Sequence, residues 1–457
     1  MAAPNYSVSQ FPSRNPHAKS PLLLTMIAVP NTSPEQIVAN LRANTARPLK
    51  WLSPNAETWK PAVMVGGGPS AADHVDDIKR LQEAGGVVFA MNGASRWLRG
   101  QGIIPDWQVV ADAKEETATL VDPDARGHLF SSAVNHATMT AAPEPIVWHP
   151  LIAGIEQCFP DEKKADQYTL IGGTTAGTHG MCVAYVMGHK EFHCFGYDSS
   201  HRGAASHAYA QPMNDGIPNV EVEWAGKKYL ASIAMKAQAE QFQLTGRAMQ
   251  KLGCTLHVHG DGLLPAMWNT KAADLTERDK YRLLWSTENY RAHSPAEERV
   301  QSVLDKLKPD SLVLDFGCGT GRASVEIAKR GIPVLLIDFA DNCRDHEAIT
   351  LPFLEWDLTK PFRQLHARFG LCFDVMEHIP TDDVKAVIRN IMNTADTVYF
   401  QISTVPDTRG ALIGATLHNT VKPHEWWHGM FVKLGYLMKF HEAGPVDSTF
   451  IVFNPRI

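Results

Sequence analysis

Twice along this chain an apolar run of strand character breaks straight into a glycine-rich turn that opens a helical pattern. The first instance is Val63-Met64-Val65-Gly66-Gly67-Gly68-Pro69-Ser70. The second is Leu312-Val313-Leu314-Asp315-Phe316-Gly317-Cys318-Gly319-Thr320-Gly321, ahead of Arg322–Ala328. A strand that hands over to a helix in this way belongs to parallel sheets covered by helices, and the turn's exposed backbone N–H groups make an anion site. The chain has 457 residues, enough for two or three ordinary domains at roughly 150 residues each. One such turn in each half therefore predicts two such sheets.

The intervening segments keep the pattern. From Pro61 to about Leu264 the strands AVMVGGGPS, VVFAMN, WQVVAD, PIVWHP, EFHCFGYD and TLHVHG alternate with helical stretches. From Ser311 onward LVLDFG, VLLIDF, LCFDVM, TVYFQIS, YLMKFHE and TFIVFN form a second series. This alternation predicts the class α/β, with two Rossmann-like doubly wound domains joined by a helical linker. The divisions read as a mobile N-terminal arm and first strand (1–29), a nucleotide-binding domain (30–264), the linker (265–296) and a second nucleotide-type domain (297–457). Ser33-Pro34-Glu35-Gln36 is a helix start. Serine stands as N-cap, proline at the first helical position and glutamine where a capping box needs it.

Composition narrows the class. Apolar residues make up 44% and charged residues 20%, as in globular proteins, and a net charge of −6 argues against a surface that coats nucleic acid. Seven cysteines without a C-x-x-C pair or a zinc-type Cys/His cluster read as thiols in a reducing compartment. Histidines crowd 179–207, but only His189 and His193 have helical spacing and the helix ends between them, which argues against zinc. The apolar run Leu22–Val29 is far short of the ~18 residues that cross a bilayer. The expectation is a soluble cytoplasmic protein with no membrane span; its oligomeric state, homo-oligomers included, stays open.

Acids follow the second turn in series. Asp338 closes VLLID one strand–helix–strand unit after Asp315, where a carboxylate can accept from both hydroxyls of a ribose. Asp357 closes FLEWD, and Asp374 follows LCF. The turn reads G-x-G-x-G, unlike the G-x-G-x-x-G of nicotinamide sites. Residues 297–457 resemble the class I S-adenosylmethionine-dependent methyltransferases in DFGCGTG, IDF, LEWDL and FDVMEHIP. The resemblance implies S-adenosylmethionine as cofactor. Asp315, Gly317 and Gly319 would hold its methionine portion, Asp338 its ribose and Asp357 its adenine amine, with Gly321 and Asp374 completing the set. The DVMEHIP form is commonest among members acting on small molecules, lipids or sugars, and the motifs of DNA-base enzymes are absent. His378 and His418 are the candidate acceptors of a hydroxyl proton, histidine titrating near neutrality. Trp426 and Trp427 read equally as lid or core, and alignment alone can suffice for methyl transfer.

In the first half, polar groups stand at successive strand ends: Asn92 after VVFAM, Asp112 after WQVVA and Asp198 after EFHCFGY. A second glycine loop, IGGTTAGTHG, precedes Asp198, and His201 and His207 lie just beyond it. Polar groups at the carboxyl ends of parallel strands converge on one crevice. The order resembles a superfamily that holds archaeal-type 6-hydroxymethylpterin diphosphokinases, flagellin-modification proteins of motility-associated loci and a family of bacterial sialyltransferases. The match runs over roughly 30–265 in GGGPS, AMNGA, I-P-D-W…D and GTTAGTHGMCVAYVMGHKEFHCFGYD. It implies that Gly66, Gly67, Gly68, Ser70 and Asn92 contact a nucleotide donor, ATP or a CMP-sugar. It also implies that Asp198 sits near the transferred group or its metal, with His207 matched to a general base. Magnesium on Asp112 or Asp198 would suit phosphate chemistry. The plainer reading of Asp198 is a cap on its own Asp-Ser-Ser turn.

Together these readings describe a bifunctional transferase. The N-terminal half would move a diphosphate or glycosyl group, and the C-terminal half would methylate a glycan or small hydroxylated acceptor. The competing class is a non-catalytic binding or assembly protein that reuses nucleotide folds; modification of a nucleobase or pterin also stays open.

Overall fold

The computed structural model describes residues 32–150, 169–170, 175–209, 217–271, 274–292, 294–362 and 365–455. The N-terminal arm, the run Leu22–Val29 and residues 171–174 of the second glycine loop lie outside them. The chain divides into two compact units, Met1–Thr270 and Lys271–Ile457.

The first unit is built on strands β1 (Lys50–Trp51), β2 (Ala62–Val65), β3 (Val87–Met91), β4 (Trp107–Val110), β5 (His128–Ser131), β6 (Ile146–Pro150), β7 (Thr169–Leu170), β8 (Glu191–Phe195) and β11 (Thr255–Val258). They pair in the order β1-β6-β5-β4-β3-β2-β8-β11, with β7 beside β6. Every pairing is parallel. The chain fills one side of β2 before returning to the other through β8, so strand order reverses between β2 and β8. Helices on both faces explain why all four residues of β2 are buried. Strands β9 (Asn219–Trp224) and β10 (Lys227–Ser232) form a separate antiparallel hairpin. Its two-residue turn, Ala225-Gly226, has φ of 49° and 74°, the double left-handed geometry that suits the twist of a hairpin. The sequence reading did not separate this hairpin from the parallel series.

The first helix, Pro34–Thr45, starts as expected, the Ser33 hydroxyl accepting from Gln36 N–H. Its capping box stays half made, because the Gln36 amide donates to Asn40 Oδ1 (2.9 Å). That leaves Asn40 and Asn44, buried one helical turn apart, to donate to the carbonyls of Ala113, Ala133, Ser132 and Val134.

The second unit has strands β12 (Val313–Phe316), β13 (Val334–Asp338), β14 (Phe353–Glu355), β15 (Ala367–Phe373), β16 (Ala395–Ser403), β17 (Leu437–Ala443) and β18 (Asp447–Phe453). Their order is β14-β13-β12-β15-β16-β18-β17. The first five run parallel and the last two antiparallel. Order reverses between β12 and β15. One face packs on Val384–Met392 and the helix His424–Lys433, whose Trp427 and Phe431 are fully buried. The other packs on Pro295–Leu307 and Arg322–Lys329. Trp427 is thus a core residue rather than a lid.

The segment 265–296, expected as a linker, divides between the units. The helix Leu263–Asn269 ends in the first, while Glu277–Trp285 and Glu288–Arg291 belong to the second. Tyr281, Leu283 and Leu284 are buried there. Arg291 donates to the carbonyls of Asn342 and Arg344 and to Asp345 Oδ1.

Candidate functional site

Both glycine turns stand at the reversal of strand order, where doubly wound sheets open a crevice at the carboxyl ends of their strands. In the second unit the turn follows β12. Gly317 and Gly319 have φ of 71° and 51°, in the left-handed region that side chains avoid. A Cβ at Gly317 would strike Val375, on the turn after the neighbouring β15, so the two strand ends are in contact. Gly321, also left-handed, is the N-cap of Arg322–Lys329.

Two buried acids back this turn. Asp338, the last residue of β13, accepts from Gly319 N–H (3.1 Å) and Ala340 N–H (3.0 Å). Asp315, within β12, accepts from the Ser324 hydroxyl (2.6 Å). Burial pushes both carboxyls up to about 6, opposed by those hydrogen bonds. Each turn N–H that Asp338 takes is one that a ligand need not satisfy, and the carboxylate stays beside the groove as an acceptor. Asp357 lies beyond β14 and uses Oδ1 on its own turn, accepting from the N–H and hydroxyl of Thr359.

Across the crevice, Asp374 follows β15, and its φ of 49° marks a forced turn for a residue with a side chain. Its N–H donates to the Gln401 carbonyl, and burial pushes its carboxyl up to about 6. The single helical turn Met376–His378 follows. Glu377 on it is fully buried, and neither carboxyl oxygen has a hydrogen-bond partner of ordinary geometry among the described residues. Burial, then repulsion from Asp374, holds its carboxyl well above the usual range. His378 Nδ1 faces the Leu417 carbonyl (3.1 Å), and burial lowers its pKa to about 4. His418 Nδ1 faces the Val405 carbonyl (2.7 Å), and the two rings meet edge to face at 4.8 Å. Tyr281 packs edge-on against His378 at 5.5 Å, its buried hydroxyl without a hydrogen-bond partner among the described residues.

The structure thus brings together Asp315, Gly317, Gly319, Gly321, Asp338, Asp374, His378 and His418 around one switch point, with Asp357 out at the sheet's edge. Sequence reasoning missed Glu377, though it stands inside the DVMEHIP motif, and it missed Tyr281 and Trp285 on the supposed linker. A left-handed turn, two turn-backing acids and a groove between strand ends fit S-adenosylmethionine as the cofactor. Its sulfonium supplies an activated methyl group.

In the first unit Gly66–Gly68 follow β2 and lie against the turn after β8. Gly66 N–H donates to the Phe195 carbonyl and Gly68 N–H to that of Gly196. A Cβ at Gly68 would run into the Asp198 carboxylate. Asp198 Oδ2 accepts from Ser70 N–H (2.9 Å), so this acid caps the glycine turn and not its own Asp-Ser-Ser turn. Its Oδ1 is buried without a hydrogen-bond partner among the described residues, as is Asn92 Oδ1 at the end of β3. Burial raises the Asp198 pKa, opposed by Ser70 and Arg202. His207 reaches this turn too: a Cβ at Gly67 would lie 2.8 Å from the Tyr209 hydroxyl and 2.9 Å from His207 Cδ2. Burial lowers the His207 pKa. Asp112 follows β4 and accepts from Lys114 N–H. Three strand spacings, about 14 Å, part it from Asp198, so a single ion cannot take both. Of the crowded histidines, His189 is tied to the Lys60 carbonyl, while His193 approaches Glu191 and His257 at the sheet's edge.

These features define two nucleotide-type α/β domains in one chain, the second an S-adenosylmethionine-dependent methyltransferase domain. Residues 288–442 match the family described as methyltransferase domain, and residues 35–203 match the 6-hydroxymethylpterin diphosphokinase MptE-like family. The chain carries one domain of each. Among curated relatives, the magnesium-protoporphyrin O-methyltransferase of Synechocystis is 28% identical over 119 residues, 24% of this chain. The chain spans about half that relative's length, 51%. Among solved structures, the MAf glycosyltransferase of Magnetospirillum magneticum AMB-1 is 19% identical over 50% of this chain and 36% of its own, with a TM-score of 0.39. The Synechocystis magnesium protoporphyrin IX methyltransferase with bound SAM is 18% identical over 40% of this chain and all of its own, with a TM-score of 0.30. Among the described residues no helix is long and apolar enough to cross a membrane.

Proposed function

We propose that the chain is a bifunctional transferase whose C-terminal unit methylates a hydroxyl oxygen on a glycan or small-molecule acceptor. Its N-terminal unit would transfer a glycosyl or diphosphate group from a nucleotide donor. The observation that carries the methyl-transfer reading is the groove between β12 and β15. An acid-backed glycine turn lines one wall, and Glu377, His378 and His418 line the other. In the reaction the sulfonium C–S bond breaks as the acceptor O–C bond forms, the hydroxyl proton leaves, and S-adenosylhomocysteine is released. Gly317 and Gly319 admit the methionine end, Asp338 orients the ribose, and the histidine wall meets the acceptor oxygen. The name of the curated relative, an O-methyltransferase, supports oxygen as the acceptor atom.

For the N-terminal unit, the support is a glycine turn capped by a buried aspartate, beside His207 and Asn92; one carboxyl oxygen of that aspartate and Asn92 Oδ1 lack a hydrogen-bond partner among the described residues. Gly66–Gly68 would take a donor phosphate, Ser70 and Asn92 its neighbouring groups, and Asp198 the transferred group or a magnesium ion. The test is calorimetric titration of the full chain with S-adenosylmethionine, ATP, CTP and CMP, with mass spectrometry of ligands carried through purification. Binding of S-adenosylmethionine and one nucleotide at separate sites is expected. A folded protein that ignores all four belongs to the binding and assembly class instead.

A further inference from the structure

The acceptor wall of the second unit brings together three polar side chains, each able to offer an electron pair to a metal ion. His378 and His418 each direct Nδ1 at a backbone carbonyl, Leu417 and Val405 respectively. A carbonyl can only accept, so in the neutral ring Nδ1 carries the proton and Nε2 can offer its lone pair to a metal. Glu377 adds a fully buried carboxyl whose two oxygens have no hydrogen-bond partner of ordinary geometry among the described residues. One ligand atom from each of the three lies within 4.8 Å of the others. Around a first-row divalent ion with bonds of about 2.0–2.2 Å, neighbouring ligand atoms stand roughly 3–3.5 Å apart, so closure needs only small side-chain rotations.

The scaffold holds this triad in place. The loop carrying His418 is bound to the turn carrying Glu377 and His378: Thr420 N–H donates to the Glu377 carbonyl, Asn419 Nδ2 to that of His378 and the Thr420 hydroxyl to that of Ile379. Nδ1 bonds to carbonyls are the outer-shell contacts that fix ring orientation in histidine metal sites. A buried carboxyl without a partner of ordinary geometry among the described residues is costly, and a cation held between it and the two imidazoles would displace its proton and relieve that cost. The complementary occupant is a cation. Two imidazoles and one carboxylate leave coordination positions open, a set that suits divalent ions of the manganese-to-zinc series.

The geometry points to a divalent-metal site formed by Glu377, His378 and His418, which holds the cation against the acceptor oxygen. This rests on the methyl-transfer reading of the same groove. The cation would lower the pKa of a bound acceptor hydroxyl, so that its proton passes to solvent before the methyl group arrives.

The test uses the full chain, stripped with chelator and titrated with Mn2+ (followed by electron paramagnetic resonance) and with Co2+ (followed by visible absorption). S-adenosylmethionine is titrated in parallel. About one equivalent of metal is expected in the wild type. Glu377→Gln, which keeps volume, and His418→Ala, on a partly exposed loop, should each weaken metal binding at least ~100-fold, one ligand being lost, with cofactor affinity within about twofold. Wild type that binds cofactor but neither ion overturns the metal site alone. So does metal binding that survives both substitutions. If cofactor fails to bind the folded protein, the methyl-transfer reading itself is lost.

Discussion

Trp285 lies over Gly319 so closely that a Cβ there would come within 2.9 Å of the indole Cη2. The contact joins the supposed linker to the glycine turn of the second unit. Trp285 also packs edge-on against Tyr290, at 4.7 Å. The segment before residue 297 thus closes the groove that the turn opens.

A fragment of residues 271–457 should therefore bind S-adenosylmethionine, whereas one of residues 297–457 should bind at least ~10-fold more weakly and unfold at lower temperature. The shorter piece loses Tyr281, Leu283 and Leu284, each buried side chain being worth about 1.5–3 kcal/mol. It also loses the Arg291 bonds to the loop at 342–345. Calorimetry and thermal melts of the two fragments decide it; equal affinity would make the segment dispensable.

Removing the Asp338 carboxylate should weaken cofactor binding by roughly 1.5–3 kcal/mol, the scale of hydrogen bonds to a charged group. Asp338→Ala has a second effect, because Gly319 and Ala340 lose their acceptor. Its melting temperature should fall even without ligand. Asp338→Asn, which keeps an acceptor oxygen, should separate the two effects by holding the melt nearer wild type. Unchanged affinity in the alanine variant would move the ribose elsewhere.

Asp338 also sets a pH dependence. Burial pushes its carboxyl up to about 6, above the ordinary ~3.9 of an unfolded chain. Between those values the folded state binds more protons. The contribution of Asp338 to stability is therefore largest at low pH, falls as pH rises from about 4 to about 6, and is constant above. Asp315 acts in the same direction. A ribose bound at Asp338 would donate its hydroxyls to the ionised form, so cofactor affinity should rise with pH across the region of 6 and binding should release protons. Titrations at pH 6 in buffers of different ionisation enthalpy read the proton count; proton uptake would contradict the assignment.

What could be read from sequence was what is set locally. The turns at Gly66–Gly68 and Gly317–Gly321, and the acids at strand ends, follow from a strand, a turn and a helix in succession. Glu377 could not be weighed that way. His378 beside it drew notice for its chemistry, but the burial of Glu377 comes from the His418 loop returning over it. Trp285 was equally hidden, since a helix rich in charge between two domains reads as a spacer until its tertiary contacts are known. Ala225-Gly226 was legible in principle, being a short two-residue turn between alternating strands. Asp198 was placed at the right sheet edge, yet its partner Ser70 is far away in sequence.

That partnership yields the last prediction. Asp198 Oδ2 holds Ser70 N–H while Oδ1 stays buried without a partner among the described residues. The acid has a structural role on one oxygen and an open position on the other. Asp198→Asn can keep the bond to Ser70 through its carbonyl oxygen but loses the charge. It should leave the glycine turn and nucleotide binding mostly intact while cutting transfer at least ~100-fold, the scale of a lost charge-stabilising or acid–base group. Asp198→Ala loses the bond as well, which leaves Ser70 N–H unsatisfied at about 1–3 kcal/mol. Its melt should drop and its nucleotide affinity should fall with it. Methyl transfer should be unchanged in both, since the second unit has its own groove. The measurements are thermal melts, titration with the nucleotide identified by mass spectrometry, and turnover of that donor with methyl transfer assayed in parallel. Full turnover in Asp198→Asn together with a destabilised Asp198→Ala would reduce Asp198 to a cap on the glycine turn and leave the N-terminal chemistry to His207 and Asn92.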